Sequence, residues 1–417
     1  MSETAANPAE AHNWPGFSRA ARWVAIAAIP ASLFSPGATV AMALVALYGV
    51  IIWARGTRFP ARIAWAGRFT VLLYLAIVII DLINGGGLVN LTSTGINYLH
   101  LVAVAPFALA LRETGLDHRT FDRAMQVTVL IALAAALVQF FAFNVVRPGG
   151  LFLNPIPYGF VLSLWSVFLL SRGLEQGRDG AVSIGVALLA VIPVLLTESK
   201  IAWACMILGY AIVAMWWAVA HGRWKTLIAT VAAALPLLYL AFHFFAYRRL
   251  EQFVAELELF FESGTVTAES FGWRYELATS GLRAFMEKPL FGYGLAEQMA
   301  AVFAHTSDNG PDVTFLSHLH NGYVTHLVAF GLAGLLFVVA FMVLLVLLSA
   351  RCSDIGARRA GIAMTIMLAL YMMVEIAFNM DPISGAVTIV MGLLLLRPAS
   401  GDGHPETRTG VSTSGSG

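Results

Sequence analysis

Residues 322–349 read GYVTHLVAFGLAGLLFVVAFMVLLVLLS and contain no Asp, Glu, Lys or Arg. A helix of this length can cross the hydrocarbon core of a bilayer, which needs about 20 apolar residues. The rest of the chain has the same character, since 59% of its 417 residues are hydrophobic and only 12% are charged. A soluble domain carries about 25% charged residues and has too little polar surface to cover so much apolar surface. The sequence therefore predicts an all-α polytopic membrane protein.

Further apolar runs, bounded by charged residues, Gly or Pro, bring the expected number of membrane spans to about twelve. One long polar segment separates the last three spans from the others. The predicted spans are 21–35, 37–54, 64–83, 97–112, 122–143, 156–172, 180–196, 201–220, 226–246, 322–349, 358–379 and 383–397.

The chain divides into four parts at the polar segment and at the C-terminal tail. Residues 1–246 are expected to form a bundle of about nine spans, and 322–397 the last three. Between them, 247–321 form one long loop. The tail, 398–417, is rich in Gly, Ser and Thr and is predicted to be disordered.

The distribution of Lys and Arg predicts the orientation of the spans. When the N-terminus is placed in the cytoplasm, most basic residues fall in cytoplasmic turns or tails. Only Arg147 and Lys200 lie in short turns on the outer side, and the other outer basic residues belong to the long loop. We therefore expect both termini in the cytoplasm and the long loop outside. The cytoplasmic arginines are interpreted as ordinary determinants of topology.

The long outer loop is expected to contain short helices. Apolar residues recur at helical spacing over 248–262, which predicts an amphipathic helix at the membrane interface, and again over 273–287. Lys288-Pro289 ends the second helix because proline disfavours helical backbone in the residue before it. Gly292-Tyr293-Gly294 is predicted to form a turn.

Ionisable residues at membrane depth cost free energy and are therefore functional candidates. In this chain they gather at the outer ends of the predicted spans. A charge at a helix end is more often simply solvated, which is the interpretation for Asp81 and Asp381. Lys200 is different, because it lies in a short outer turn and abuts an apolar span. The ionisable residues at the outer ends are Asp81, His100, Glu198, Lys200, Glu375 and Asp381.

The pair His320-Asn321, where the long loop meets span 322–349, is the strongest local signal. Nine residues separate Asn321 from Gly331, and Gly334 follows three residues later. Glycines at this spacing share one helix face, so they are predicted to allow close helix packing. His320 then lies at the outer mouth of that helix. His318 is interpreted as a lone interfacial residue.

Three stretches resemble the O-antigen ligase family of bacterial envelope glycosyltransferases. The family also contains O-antigen and exopolysaccharide polymerases and protein O-oligosaccharyltransferases. The resemblance covers roughly residues 185–345, and the order of the motifs and the position of the long loop agree with the family pattern. The stretches are LLTESK at 195–200, WRYE at 273–276 with KPLFGYG at 288–294, and His320-Asn321 with Gly331 and Gly334.

The resemblance implies transfer of a glycan from undecaprenyl diphosphate at the periplasmic face of the bacterial inner membrane. The acceptor hydroxyl would belong to lipid A–core in a ligase, to a growing lipid-linked glycan in a polymerase, or to a protein serine. The compact loop favours ligase over polymerase. The resemblance implies no metal, cofactor or nucleotide sugar, and no nucleic acid is expected as a partner.

The resemblance also assigns roles to individual residues. His320 is expected to act as general base towards the acceptor hydroxyl, or to position the acceptor, since an imidazole with pKa near 6.5 suits proton transfer. Arg274 occupies the loop-arginine position, where a cation stabilises the diphosphate leaving group. Lys200 stands where the family more often has Arg, so it keeps the charge and lacks the bidentate fork. The expected substrate-binding residues are Lys200, Arg274, Asn321, Glu198 and Trp273.

A transporter or flippase is the alternative from another class. Such proteins typically contain inverted repeats and interrupted helices with charges near the middle of the membrane. The sequence contains no recognisable repeat, and its ionisable groups lie at one face. The enzyme interpretation is therefore preferred.

Overall fold

The computed structural model describes residues 15–396 except 35, 85–86, 151–153, 242, 244–246, 264–269, 309 and 379. Helices and the turns between them make up the described residues, which contain no strand. The all-α prediction is therefore confirmed for this part of the chain. The predicted disordered tail, 398–417, lies outside the described residues.

The helices follow the predicted order of an N-terminal bundle, a loop region and a C-terminal group. The bundle contains α1 (Pro15–Ala31), α2 (Gly37–Ala54), α3 (Ala61–Ile83), α4 (Gly87–Asn97), α5 (His100–Glu113), α6 (His118–Phe141), α7 (Pro155–Glu175), α8 (Ala181–Leu189), α9 (Val191–Leu196), α10 (Lys200–His221) and α11 (Trp224–Ala241). The loop region contains α12 (Tyr247–Ser263), α13 (Ser270–Glu287) and α14 (Gln298–Phe303), and the last group contains α15 (Gly322–Ala350), α16 (Ile355–Tyr371) and α17 (Asp381–Leu395). Both predicted loop helices are thus confirmed.

Within the described residues, eight helical segments are long and apolar enough to cross a membrane, by length and composition. Helices α1, α11, α16 and α17 coincide with the remaining predicted spans. The number of about twelve spans, and the side on which the long loop lies, stay predictions. The eight segments are Gly37–Ala54, Ala61–Ile83, Thr92–Glu113, His118–Phe141, Pro155–Glu175, Gly177–Leu196, Lys200–His221 and Gly322–Ala350.

Helix α7 forms the centre of the bundle and is buried along most of its length. It packs against α6, α8, α10 and α16. Small residues allow these helices to approach closely, as in many membrane bundles. A methyl group on Gly209 of α10 would lie 2.5 Å from the Met367 sulfur and 2.6 Å from a methyl of Val167.

The arginine-rich end of the bundle contains buried ion pairs. Arg172, at the end of α7, is only 5% exposed. Its Nε donates to Asp122 Oδ1 at 2.6 Å, and its Nη1 pairs with Asp354. Arg359 pairs with Glu175 in the same region. The interpretation of the cytoplasmic arginines as ordinary topology determinants is therefore wrong for Arg172 and Arg359, because a buried guanidinium needs a partner.

Helix α15 is broken at Gly331, where φ is 65° and ψ is −153°. In an unbroken helix, the carbonyl groups of Val328 and Ala329 would accept hydrogen bonds from amides four residues later. Here they accept from the backbone amides of Tyr293 and Gly294, at 2.9 and 2.8 Å. A segment of the long loop therefore supplies donors that the helix lacks.

The same loop segment also satisfies the amides on the other side of the break. The amide of Leu332 donates to the Pro289 carbonyl at 2.8 Å, and that of Ala333 to the Leu290 carbonyl at 3.4 Å. The hydrogen bonds to residues 289–294 thus take the place of the main-chain hydrogen bonds that α15 lacks at its break. This explains how an interrupted helix can lie at membrane depth, where an unpaired backbone group costs several kcal/mol.

Glycine is required on both sides of this contact. A methyl group on Gly331 would lie 2.3 Å from the Leu290 carbonyl carbon, and one on Gly292 would lie 2.4 Å from the Val328 carbonyl oxygen. A methyl on Gly334 would meet the carbonyl oxygen of His326, in the same helix, at 2.2 Å. The expectation that Gly331 and Gly334 mediate packing between helices is therefore wrong, since both glycines accommodate the break.

The C-terminal end of α3 holds the inserted segment in place. Asp81 Oδ1 accepts a hydrogen bond from the Leu295 amide at 3.1 Å, and Asn84 Nδ2 donates to the Phe291 carbonyl at 2.7 Å. Asp81 is fully buried. The interpretation of Asp81 as a solvated helix-end charge is therefore wrong, because its carboxylate takes part in the packing of the loop.

We expect Gly331→Ala to destabilise the protein by roughly 3 kcal/mol, because the backbone angles at Gly331 are almost restricted to glycine. The measurement is the Tm of the purified protein in detergent, which should fall by several degrees. Gly185→Ala is the matched control, since no atom lies within 4 Å of the added methyl group. It should leave the Tm unchanged or raise it slightly. Equal Tm values for Gly331→Ala and the unaltered protein would contradict the described break.

Candidate active site

The start of α15 is fixed to the turn that follows α16. The backbone amide of Gly322 donates to the carbonyl oxygens of Met372 and Glu375, at 2.7 and 3.1 Å. Position 322 is closely packed, since a methyl group there would lie 2.8 Å from the Met372 methyl carbon and 3.2 Å from the Glu375 carbonyl oxygen. The residues before Gly322 therefore lie directly over the 372–375 turn.

Asn321 caps α15 and joins it to the same turn. Its Oδ1 accepts from the amides of Tyr323 and Val324, both at 3.0 Å, and its Nδ2 donates to the Met373 carbonyl at 2.9 Å. Such N-caps satisfy amides that a helix start leaves unpaired. In this structure the Asn321 side chain is thus engaged in fixing the helix start beside His320.

His320 and His318 bind the two oxygens of one carboxylate. His320 Nδ1 lies 3.1 Å from Glu375 Oε2, and His318 Nε2 lies 3.0 Å from Glu375 Oε1. The centroids of the two imidazole rings are 4.0 Å apart. His320 has a left-handed φ of 50°, which few non-glycine residues adopt. The chain thus turns sharply at His320, and backbone strain of this kind clusters at functional sites.

The Glu375 carboxylate is buried, with 1% of the residue exposed. Hydrogen bonds from the imidazoles of His318 and His320 offset the cost of burying the charge of this carboxylate. An ionised carboxylate only accepts hydrogen bonds, so the imidazole nitrogens facing it carry protons.

The sequence did not predict the roles of His318 and Glu375 at this site. The interpretation of His318 as a lone interfacial residue is wrong, because it shares Glu375 with His320. Glu375 was predicted at the outer end of its span, but it was not assigned to the site. The available signal was the cost of a carboxylate in an apolar run, which requires a cation or hydrogen-bond donors nearby.

The same three side chains satisfy the spacing of a metal site. Their nearest ligand atoms all lie within 4.8 Å of one another, so His318, His320 and Glu375 could hold a divalent cation. However, each imidazole already donates to its own carboxylate oxygen. The hydrogen-bonded arrangement is complete without an ion, which fits an organic acid–base site at least as well.

Helix α13, which carries Arg274, packs against the segment that ends in His320. The ring of Trp273 makes an edge contact with Phe315 at 5.4 Å between centroids. Further along α13, Gly281 lies against Leu319, since a methyl group there would be 2.9 Å from a Leu319 methyl. Arg274 Nη1 donates to the Ser270 carbonyl at 3.0 Å. The Arg274 guanidinium thus forms a hydrogen bond within its own helix. Among the described residues, it forms no hydrogen bond with His320.

Lys200 is an exposed residue in the first turn of α10, and Ser199 caps that helix by accepting from the Ala202 amide. The preceding residue, Glu198, has a φ of 50°. Among the described non-glycine residues, the other positive φ values belong to Asn144 and His320. Two of the three positions are therefore predicted site residues.

The start of α7 connects the Lys200 turn with the Glu375 turn. A methyl group on Gly159 would lie 2.9 Å from the Ala202 side chain. The next residue, Phe160, stacks on Tyr371 at 4.1 Å between ring centroids. Adjacent residues of α7 thus contact the first turn of α10 and the last turn of α16. Lys200 and the histidine pair therefore lie at the same end of the bundle, opposite the buried ion pairs of Arg172.

Residues 185–339 match the family model described as O-antigen ligase. No match to a curated protein was found. The matched range begins in α8, contains the whole long loop with Arg274 and His320, and ends in α15 after the break at Gly331. Members of this family are membrane enzymes of glycosyltransferase-like type, either ligases or polymerases. The family match and the apolar helices fit a bacterial inner membrane protein. Over residues 185–339, the chain is therefore similar to the O-antigen ligase family.

Proposed function

We propose that this protein transfers a glycan from undecaprenyl diphosphate to the hydroxyl of lipid A–core at the periplasmic face of the membrane. The observation that carries the proposal is the buried Glu375 carboxylate with two imidazoles at the mouth of α15. A carboxylate that orients an imidazole beside a substrate cleft is a recurring general-base arrangement.

His320 takes the proton from the acceptor hydroxyl. Its Nδ1 donates to Glu375, so in the neutral imidazole Nε2 is the unprotonated nitrogen. As the acceptor oxygen forms a bond with the anomeric carbon, the bond from that carbon to the diphosphate oxygen breaks, and the acceptor proton passes to Nε2. The Glu375 charge then stabilises the imidazolium. Direct displacement of this kind inverts the anomeric centre.

Arg274 and Lys200 stabilise the diphosphate that leaves. Negative charge grows on the diphosphate oxygens as the glycosidic bond breaks, and cations held in place lower the free energy of that transition state. The placement of α13 and α10 at the histidine end of the bundle supports this assignment. The Arg274 guanidinium would exchange its contact with Ser270 for the phosphate, and Trp273, Glu198 and Asn321 would shape the surrounding site. The reaction needs no metal or cofactor.

His320→Ala and Arg274→Ala should each lower transfer at least about 100-fold, because each removes a group that acts on the transition state. The measurement is formation of ligated product from lipid-linked donor by purified protein. Arg283→Ala is the control for Arg274, since Arg283 lies on the same helix and donates to the His305 carbonyl at 3.1 Å. Arg283→Ala should stay within about twofold of the unaltered protein. If His320→Ala or Arg274→Ala also stayed within about twofold of the unaltered protein, that residue would have no role in the mechanism.

Glu375→Gln should lower kcat by about 100-fold or more and change KM for the donor little. The amide keeps the shape of the side chain but cannot accept from both imidazoles or stabilise an imidazolium. Glu287→Gln is the matched control, because Glu287 also pairs with a histidine, His305, at 2.9 Å. Normal kcat in Glu375→Gln would contradict the role given to the pair. Loss of unaltered-protein activity on chelation would instead indicate that the three residues hold a metal.

Deletion of the gene tests the reaction in its host. Loss of long-chain lipopolysaccharide with accumulation of lipid-linked polymer is the expected result for a ligase. Lipopolysaccharide with a single repeat, or loss of an exopolysaccharide, would identify a polymerase. An unchanged glycan profile with altered uptake of a solute would contradict the proposal and support a transporter.

A further inference from the structure

A groove of about 530 Å³ opens between α1 and α6, far along the bundle from His320. The two helices pack against each other, and the lining residues recur on each at helical spacing. The lining set is basic at one end and apolar over the rest. It consists of Arg19, Arg22, Trp23, Ile26 and Pro30 of α1, and of Thr120, Arg123, Ala124 and Val127 of α6.

The basic end is formed by the starts of both helices. Arg19 and Arg22 lie in the first two turns of α1, and Arg123 in the second turn of α6. Because these residues line one groove, the N-terminal ends of α1 and α6 lie side by side. Helix N-termini carry partial positive charge, which adds to that of the guanidinium groups. The described residues that line the groove include no carboxylate. This end of the groove is therefore complementary to an anion.

The apolar part of the groove runs parallel to the axes of α1 and α6. Trp23 is 68% exposed and Val127 is 52% exposed, although both lie in apolar helices. At 1.5 Å per residue, the distance along α1 from Arg19 to Pro30 is about 16 Å. That length is about half the thickness of the hydrocarbon core. An occupant with an anionic head and an apolar chain fits both parts.

We propose that this groove binds an anionic glycerophospholipid of the leaflet on the arginine-rich side. The phosphate lies between Arg22 and Arg123, and one acyl chain lies along Trp23 and Val127. A free phosphate would leave the apolar walls uncovered, and a zwitterionic lipid would offer no net charge to the arginines. Basic pockets between membrane helices are known sites for anionic lipid head groups. Here the arginines would bind the phosphate and the apolar walls would cover the acyl chain. The site is separate from the glycan-transfer site at the opposite end of the bundle.

Lipid binding to the purified full-length protein tests the proposal. Native mass spectrometry with added phosphatidylglycerol should show a bound lipid that phosphatidylcholine does not replace. The double variant Arg22→Gln/Arg123→Gln should weaken this binding about tenfold. Arg178→Gln is the control, since Arg178 is also an exposed arginine but lies outside the groove. Arg22→Lys/Arg123→Lys keeps the charges and should retain most of the binding, which separates lost charge from misfolding.

Three results would overturn the proposal. Equal binding of phosphatidylcholine and phosphatidylglycerol would show that the arginines do not select the lipid. Displacement of the lipid by millimolar inorganic phosphate would show an anion site without a chain-binding part. Binding only after removal of residues 2–13 would show that the chain's own N-terminal segment is the occupant.

Discussion

A helix that breaks within a membrane leaves backbone amides and carbonyls without partners, and the bilayer offers none. In this protein that constraint is met at Gly331, where residues 289–294 supply two donors and two acceptors to α15. The insertion requires glycine at 292 and 331, because any side chain would overlap the opposing backbone. The loop is thereby joined to the bundle by main-chain hydrogen bonds, which depend little on the side chains of the segment.

The first part of α15, residues 322–330, links this insertion to the candidate active site. Its C-terminal carbonyls bind the inserted loop, while its N-terminal amide at Gly322 binds the turn that carries Glu375. Helix α13 packs beside the same residues through Gly281. A short rigid element thus fixes the relative positions of the loop helix that bears Arg274, the histidines and their carboxylate. Precise placement of this kind is what transition-state stabilisation needs.

The opposite end of the bundle is held by different interactions. There the buried guanidinium of Arg172 joins α7 to α6 and to the start of α16 through two carboxylates. Breaking one partner of such a pair leaves a buried charge, at a cost of about 3–5 kcal/mol. Buried ion pairs therefore stabilise one end of α7, and the proposed active site lies at its other end. The groove between α1 and α6, which is the proposed lipid site, lies at the end of the bundle that holds these ion pairs.

The sequence by itself determined the helical membrane class and both loop helices, and it supplied most of the candidate site residues. Uninterrupted apolar runs and local spacing are sufficient for this, because each depends on neighbours in the chain. The motif around His320 and Arg274 was likewise readable as a family pattern, and the match over 185–339 agrees with it. The pairing of His318 and His320 with Glu375, the partners of Arg172 and the break filled by residues 289–294 were decided only by tertiary structure. Each joins residues distant in sequence, and nothing in a local pattern indicates which buried polar group will meet which partner.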